Sequence, residues 1–393
     1  MTETTRILAR IAALILGVAA MLTAPPARSA EPPKKARVYV GTYTDAASKG
    51  IYRFDLDLAT GATSAPTVVA EMRNPTFLTL DPARTHLYAI GEVESVNGKK
   101  GGFVNAYAVD PSTGDLTFLN TGSTIGVGPC HVSVDKAGKN VLVANYGGGS
   151  AAVLPIVEGG KVGPASSFVQ HRGSGPIHQR QEGPHAHSIN LDPANRVAFV
   201  ADLGLDRVFV YRFDPEKGTL TASEPPTVKL PPGAGPRHFA FHPDGRRAYV
   251  INELNSTLTA FTYDPERGTL TETQTISTLP ADFHGTNYPA DVHVHPDGQV
   301  VYGSNRGHDS IAVFRIEPAT GKLVATGHAT AGIKNPRNFG LDPTSRWLLV
   351  ANQDANTIVV FAVDPQTGAL TPTSHVVHVS KPVCVQFVPI AGE

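Results

Sequence analysis

One phrase, Asp-Pro-x-x-Gly-x-Leu-Thr, returns along this 393-residue chain and leaves it few folds to adopt. It reads DPSTGDLT from 110, DPEKGTLT from 214, DPERGTLT from 264 and DPQTGALT from 364. DLATGATS from 57 and EPATGKLV from 317 are weaker copies, and VEGGKVG from 157 is a degenerate one, which makes seven. A second mark also occurs seven times, at Pro75, Pro129, Pro184, Pro236, Pro289, Pro336 and Pro382, with intervals of 54, 55, 52, 53, 47 and 46 residues. A period near 50 residues made of strands and turns predicts a β-propeller. Abundant glycine (38) and proline (32) fit many short elements joined by tight turns, and heptads and long helical runs are absent.

Every unit has the same grammar. A proline precedes a short apolar strand (FAFHP, LTLDP), a tight turn leads to a second (RAYVIN, VLVANY, WLLVAN), and a third follows (LTAFTYD, IAVFRIE). The Asp-Pro turn then introduces a Leu-Thr-rich fourth strand, giving four antiparallel strands per blade. ARVYVGTY, from 36, is a second-type strand with no first before it, and KPVCVQFVP, from 381, is a first-type strand with no second after it. The C-terminal strand is therefore expected to complete the N-terminal blade and close an all-β, seven-bladed propeller over about residues 37–390, removing the free edges of an open ring.

The first residues stand apart from this grammar. Arg6 and Arg10 precede the apolar run Ile11 to Thr23, and Ala27-Arg28-Ser29 offers small residues for a signal peptidase. Residues 1–29 read as a secretory signal peptide, with an uncleaved anchor as the alternative and 30–393 as one domain. The mature chain is then expected in the periplasm or secreted, off the membrane. A formal net charge of -1 gives no reason to expect nucleic acid as partner. The two cysteines, Cys130 and Cys384, begin first strands of non-adjacent units, so no disulfide is expected.

Strand direction locates the chemistry. In a propeller the first strand is innermost, so the residues after each blade-starting proline ring the mouth of the central channel. They are Thr76-Phe77, Cys130-His131, His185-Ala186-His187, Arg237-His238, Ala290-Asp291, Arg337-Asn338 and Val383-Cys384. Sixteen residues on, at the end of the second strand and on the same face, stand Glu92, Tyr146, Ala201 next to Asp202, Glu253, Arg306 and Gln353. The constant spacing marks equivalent positions, so Arg237, Glu253, Arg306 and Arg337 are expected to converge.

GPRHFAFHPDGRRAYVINELNS, YPADVHVHPDGQVVYGSNR, EGPHAHSINLDP and NPRNFGLDP together resemble the lactonase family of seven-bladed propellers, whose members include propeller-type 6-phosphogluconolactonases and a related carboxymuconate-lactonising enzyme. The resemblance spans about 37 to 390. It implies hydrolysis of a sugar lactone without a metal, by a histidine, arginines and a glutamate that fall here on His187, Arg237, Glu253 and Arg306.

That chemistry suits the ring. Lactone hydrolysis needs a base for water and donors for the developing oxyanion, and arginine's planar fork matches anionic oxygens. Glu253, His187 and Arg237 are the expected catalytic residues, with Glu253 and His187 as alternative bases and Glu253 alternatively orienting Arg237. Arg306, Arg337, His131, His185, His238 and Asp291 are the expected substrate contacts. Each arginine has the alternative of an inter-blade ion pair. No metal or cofactor is expected, since His295 and His242 sit in far-face turns and no carboxylate cluster accompanies the His pairs. HRGSGPIHQRQEGPHAH, 171–187, is an unusually long mouth-side connection of the kind that covers ligands, and GGGS at 147 lacks the lysine and helix of a phosphate loop. The expected partner is a small sugar lactone bound by a monomer. A lactonising isomerase and a non-catalytic binding propeller are the competing functions.

Overall fold

Burial along each unit explains why its strands take their places. In the blade that begins at Pro236, the strands are Pro236–Phe241, Arg247–Asn252, Thr257–Asp264 and Thr269–Ser277, hydrogen-bonded in that order and antiparallel. The second strand is buried on both faces from Ala248 onward, whereas the fourth is largely exposed, as an outer edge must be. In the computed structural model, which describes residues 33–390 apart from 46 and 97, this pattern repeats in seven blades. The expected signal peptide lies outside the described residues. We number the blades from the one that contains Lys35–Thr42.

The repeated phrase is turn chemistry. Asp264 Oδ1 accepts the N–H groups of Glu266 (2.9 Å) and Arg267 (3.1 Å), and Gly268 sits at φ 69°, a left-handed conformation that favours glycine. These turns also latch neighbouring blades together. The hydroxyls of Tyr39, Tyr88 and Tyr302, each on a second strand, donate to the turn carbonyls of Gly114 (2.7 Å), Gly160 (3.0 Å) and Gly368 (2.8 Å) of the next blade. The degenerate copy at 157 thus performs the same service as the others.

Apolar packing lies between blades and not on the axis. Among the described residues, each hydrophobic cluster joins two neighbours: Phe199 and Val208 of blade 4 meet Val250 and Phe261 of blade 5, and Val38 and Phe54 of blade 1 meet Leu349 and Val360 of blade 7. The channel carries mainly polar side chains, with Phe77, Cys130 and Val383 interspersed among them. Blade 1 closes the ring as expected, its strand Lys35–Thr42 pairing with Pro382–Ile390 in a register from Lys35↔Ile390 to Gly41↔Cys384.

One device recurs where the innermost strands reach the channel mouth. The ladder register shifts between Pro129 and His131, Ala186 and Ser188, Pro236 and His238, Pro289 and Val292, and Pro336 and Asn338, and the closing strand shifts between Pro382 and Cys384. Each is a β-bulge, which leaves one residue out of the ladder and re-aims its side chain. The bulged residues are Cys130, His187, Arg237, Ala290 with Asp291, Arg337 and Val383.

Cys130 and Cys384 are free and buried, in blades 3 and 1 with blade 2 between them. Burial pushes the Cys384 thiol up to about 12 and raises Cys130 as well. The native protein is expected to react slowly with a thiol reagent, and the denatured, unreduced protein should release two thiols. Recovery of none would contradict this blade assignment.

Candidate active site

The bulges bring Cys130, His187 and Arg337 to a cavity at the channel mouth and Arg237 and Val383 to the throat beneath it, and the sixteen-residue spacing holds for each pair, with one correction. The N–H groups of Glu92, Tyr146, Glu253 and Gln353 donate to Asn74, Gly128, Gly235 and Asn335, and in blade 4 the matching bond runs from Leu203 to His185. Leu203, and not Ala201 or Asp202, is therefore the equivalent of Glu253. The displacement arises because Ala186 occupies the place that proline takes in the other blades, so counting from Pro184 misplaces the ring. His187 is the ring residue, and Leu203 lies sixteen residues beyond it. Blade 1 adds Tyr43, whose N–H donates to Lys381 O, a ring member that proline counting does not reach.

Glu253 is the hub. Its Oε2 accepts from Arg237 Nε (3.0 Å) and an Arg306 terminal nitrogen (2.7 Å), and its Oε1 accepts from Arg180 (2.5 Å). Arg237 also donates to Ala290 O, and Arg306 Nε to Tyr288 O (2.9 Å). Burial acts to raise the Glu253 carboxyl, but Arg306, Arg237 and Arg180 outweigh it and hold it at about 2. Burial lowers Arg306 to about 9 against the pull of Glu253, with Arg237 and Arg337 adding repulsion; Arg237 is lowered too. Guanidiniums remain charged at neutral pH even so, and such crowding favours an incoming anion. The pair is not wet, as a pocket-lining site would suggest: side-chain exposure is 2% for Arg237 and 6% for Glu253.

Across the mouth, Arg337 donates to Tyr43 Oη (3.0 Å), which in turn donates to the Glu92 carboxylate (2.9 Å); Thr76 Oγ1 binds the other Glu92 oxygen at 2.6 Å. His187 lies beside Cys130, with Sγ 3.7 Å from Nδ1. Burial first, then Arg237, His238 and Arg337, lower the His187 imidazole well below its ordinary value, so it is neutral near pH 7.

The other expected contacts are placed differently. His238 lies one step deeper, its Nδ1 2.7 Å from Asp291 Oδ1, and burial lowers it to about 4 despite that carboxylate. Asp291 is not brought to the mouth cavity: its other oxygen takes His293 Nε2 (3.0 Å) and the Asn338 amide (2.6 Å). His131 packs between Phe77 and His238, with ring centroids 4.4 and 5.5 Å away. The His185 ring is stacked on Tyr146 at 4.5 Å, with Nδ1 3.0 Å from Tyr146 O. None of these four residues lines the mouth cavity, and His238 lines the throat beneath it.

The cavity at the mouth measures about 220 Å³ and is lined by Glu92, Cys130, Tyr146, Arg180, His187, Glu253, Arg306 and Arg337. A throat of about 10 Å³ continues beneath it, between His187, Arg237, His238 and Arg337, which is room for about one water. Larger spaces of about 720 and 430 Å³ lie between outer strands of blades 6 and 7 and of blades 1 and 2, away from every ring residue. Arg180 lines the cavity but is missed by sequence periodicity; its only sequence signal is its place in the long 171–187 connection. Among the described residues no three of His, Cys, Asp or Glu are grouped as metal ligands, and no helix is long and apolar enough to cross a membrane.

A family profile described as Lactonase, 7-bladed beta-propeller matches residues 37–387. A 6-phosphogluconolactonase of Bacillus subtilis is 41% identical over 349 residues, covering 89% of this chain and 97% of its own. One of Formosa agariphila is 34% identical, covering 80% and 88%. Among solved structures, a periplasmic gluconolactonase of Pseudomonas aeruginosa superposes with a TM-score of 0.86 at 35% identity, covering 91% of this chain and 99% of that one.

Proposed function

From a chain that belongs to the lactonase family of seven-bladed β-propellers, we propose a mechanism in which His187 activates water at the channel mouth while Arg237 and Arg337 hold the oxygen that gains charge. The protein is a lactone hydrolase of the 6-phosphogluconolactonase kind, acting on a sugar lactone. The observation that carries the mechanism is the meeting of guanidiniums with a buried, neutral imidazole around one small cavity.

In the first step a water O–H gives its proton to His187 as the oxygen attacks the lactone carbonyl carbon. The carbonyl oxygen becomes an oxyanion between guanidiniums already fixed in place, which lowers the barrier without reorganisation. Collapse breaks the bond to the ring oxygen, and the imidazolium returns its proton to that leaving alkoxide. The new carboxylic acid then ionises to solvent. Glu253 does not serve as base here: its Oε2 is taken by Arg237 and Arg306 and its Oε1 by Arg180, which leaves it poorly placed to accept a proton from water. Its part is to fix Arg237, Arg306 and Arg180, which is one of the two roles expected from sequence. Glu92 stands as the second candidate base because it lines both cavity and throat.

For location we propose export, supported by the Arg6 and Arg10 start, the apolar run that follows, and the periplasmic structural neighbour. The test of mechanism is a panel of gluconolactone with and without phosphate, assayed with wild type, His187→Ala and Glu92→Gln. His187→Ala is expected to lose about 10²- to 10⁴-fold in kcat while folding normally, since a bulged residue adds no ladder pairing. Near-normal turnover in that variant with a large loss in Glu92→Gln would move the base to Glu92. Failure of wild type on every lactone would remove the hydrolase reading.

A further inference from the structure

The connection from the outer strand of blade 3, Ser167–Gln170, to the innermost strand of blade 4, Ala186–Leu191, is long yet firmly held. Both of its ends are fastened to one buried carboxylate. Asp202 Oδ2 meets His171 Nδ1 at 2.6 Å, and Asp202 Oδ1 accepts the His185 N–H at 2.8 Å. The His171 ring is stacked on Phe209 at 3.7 Å, and its Nε2 lies 3.0 Å from the Tyr211 hydroxyl. The middle is fastened as well. The fully buried Gln181 donates to Leu203 O (2.8 Å) and Asp206 Oδ1 (2.7 Å), and its own oxygen accepts the Ile177 N–H (3.0 Å). Arg180 is the neighbour of that fixed glutamine. The loop acts as a rigid arm that ends in a guanidinium over the cavity.

Arg180 also differs from the other cations around Glu253. Its side chain is 34% exposed, against 2% for Arg237 and 14% for Arg306. Arg237 and Arg306 are tied to main-chain carbonyls besides Glu253, whereas Arg180 meets the side chains of Glu253 and Tyr146 and stands over the Tyr288 ring at 5.5 Å. Glu253 can release Arg180 and keep two guanidiniums on its other oxygen. An incoming anion can therefore take Arg180 without stranding a buried carboxylate, so the exchange is nearly neutral in charge.

We propose that Arg180 is the specificity residue of this site, gripping a phosphate monoester on the lactone, with Asp202, His171 and Gln181 as the positioning residues that hold it there. This deepens the lactonase reading and rests on it for the identity of the ring being bound. A planar fork on a fixed arm suits a phosphate's oxygens and gives no advantage to a lactone without one.

The test measures binding of 6-phosphogluconate and gluconate by calorimetry to wild type, Arg180→Gln and Arg180→Lys, beside turnover of the two lactones. Wild type is expected to favour the phosphorylated product by about 10- to 100-fold, the range of charge-assisted hydrogen bonds. Arg180→Gln should bring that ratio close to one, with the loss on the phosphorylated lactone carried by KM and not kcat. Arg180→Lys should restore part of the ratio, because it returns a charge without the fork. A ratio preserved in Arg180→Gln overturns the proposal, and so does a wild type that does not favour the phosphorylated product. A wild type that shows the ratio but turns over neither lactone would count against the hydrolase reading and leave the assignment of Arg180 standing.

Discussion

Arg237→Ala is expected to lower kcat for lactone hydrolysis by about 10²- to 10³-fold, the usual effect of deleting one donor aimed at an oxyanion. The side chain is buried at the throat and is held from two directions, by Glu253 Oε2 and by Ala290 O, so no thermal search precedes its contact with the reacting oxygen. Folding should survive the change. The bulge takes Arg237 out of the ladder, and Glu253 keeps Arg180 and Arg306 as partners. Steady-state kinetics with a denaturation curve on the same sample checks both halves. Near-normal kcat in Arg237→Ala would remove the guanidinium from the reaction, and a collapsed fold would recast it as a blade-to-blade strut.

Glu253→Gln should act in the opposite way, on stability first. It leaves three guanidiniums crowded around a neutral amide inside the protein, and breaking a buried ion network by removing one partner typically costs about 3–5 kcal/mol. Urea denaturation at pH 7 should show a lower midpoint. The pH profile provides a second readout. A carboxyl held at about 2 when folded, against an ordinary 4.5, stabilises the fold fully above pH 4.5 and loses that contribution as pH falls through 2. The size is on the order of 3 kcal/mol. Wild type should therefore lose stability over this acid range and Glu253→Gln should lose less. Equal stability of the two proteins at pH 7 would mean that the carboxylate does not hold the cluster together.

The blades were legible because turn chemistry repeats in the letters themselves: Asp264 caps its turn through its own side chain and Gly268 alone accepts the backbone angle. The ring closure was legible from two half-units at 36 and 381. Much of the site was legible for a related reason, since a fixed spacing of sixteen residues survives in every pair. What the letters hide is depth. A bulge sends consecutive residues to different surroundings, so Arg237 and His238 look alike in sequence, yet Arg237 meets Glu253 and His238 meets Asp291. Blade 4 is displaced by two residues from the proline count because Ala186 stands in for proline. Arg180 carries no periodic signal because a loop has no period, and only its buried neighbour Gln181 reveals that it is fixed. The burial of Glu253 is not written in the sequence, because the balance of one carboxylate against three guanidiniums exists only after folding.

The pairing of Lys35–Thr42 with Pro382–Ile390 also sets an order of events in time. Blades 2 to 7 are each built from consecutive residues and can form as soon as those residues are available. The first blade cannot, because the strand it lacks is synthesised only after the other six blades. Until then Lys35–Thr42 offers an unpaired edge, the kind of surface on which chains join wrongly. Its partner must be found across nearly the whole sequence, a search whose entropy opposes rapid closure. The same contact then works in reverse. Once seated, the closing strand is the clasp of the ring, and the slowest step of assembly becomes the step that must be undone before the blades can part.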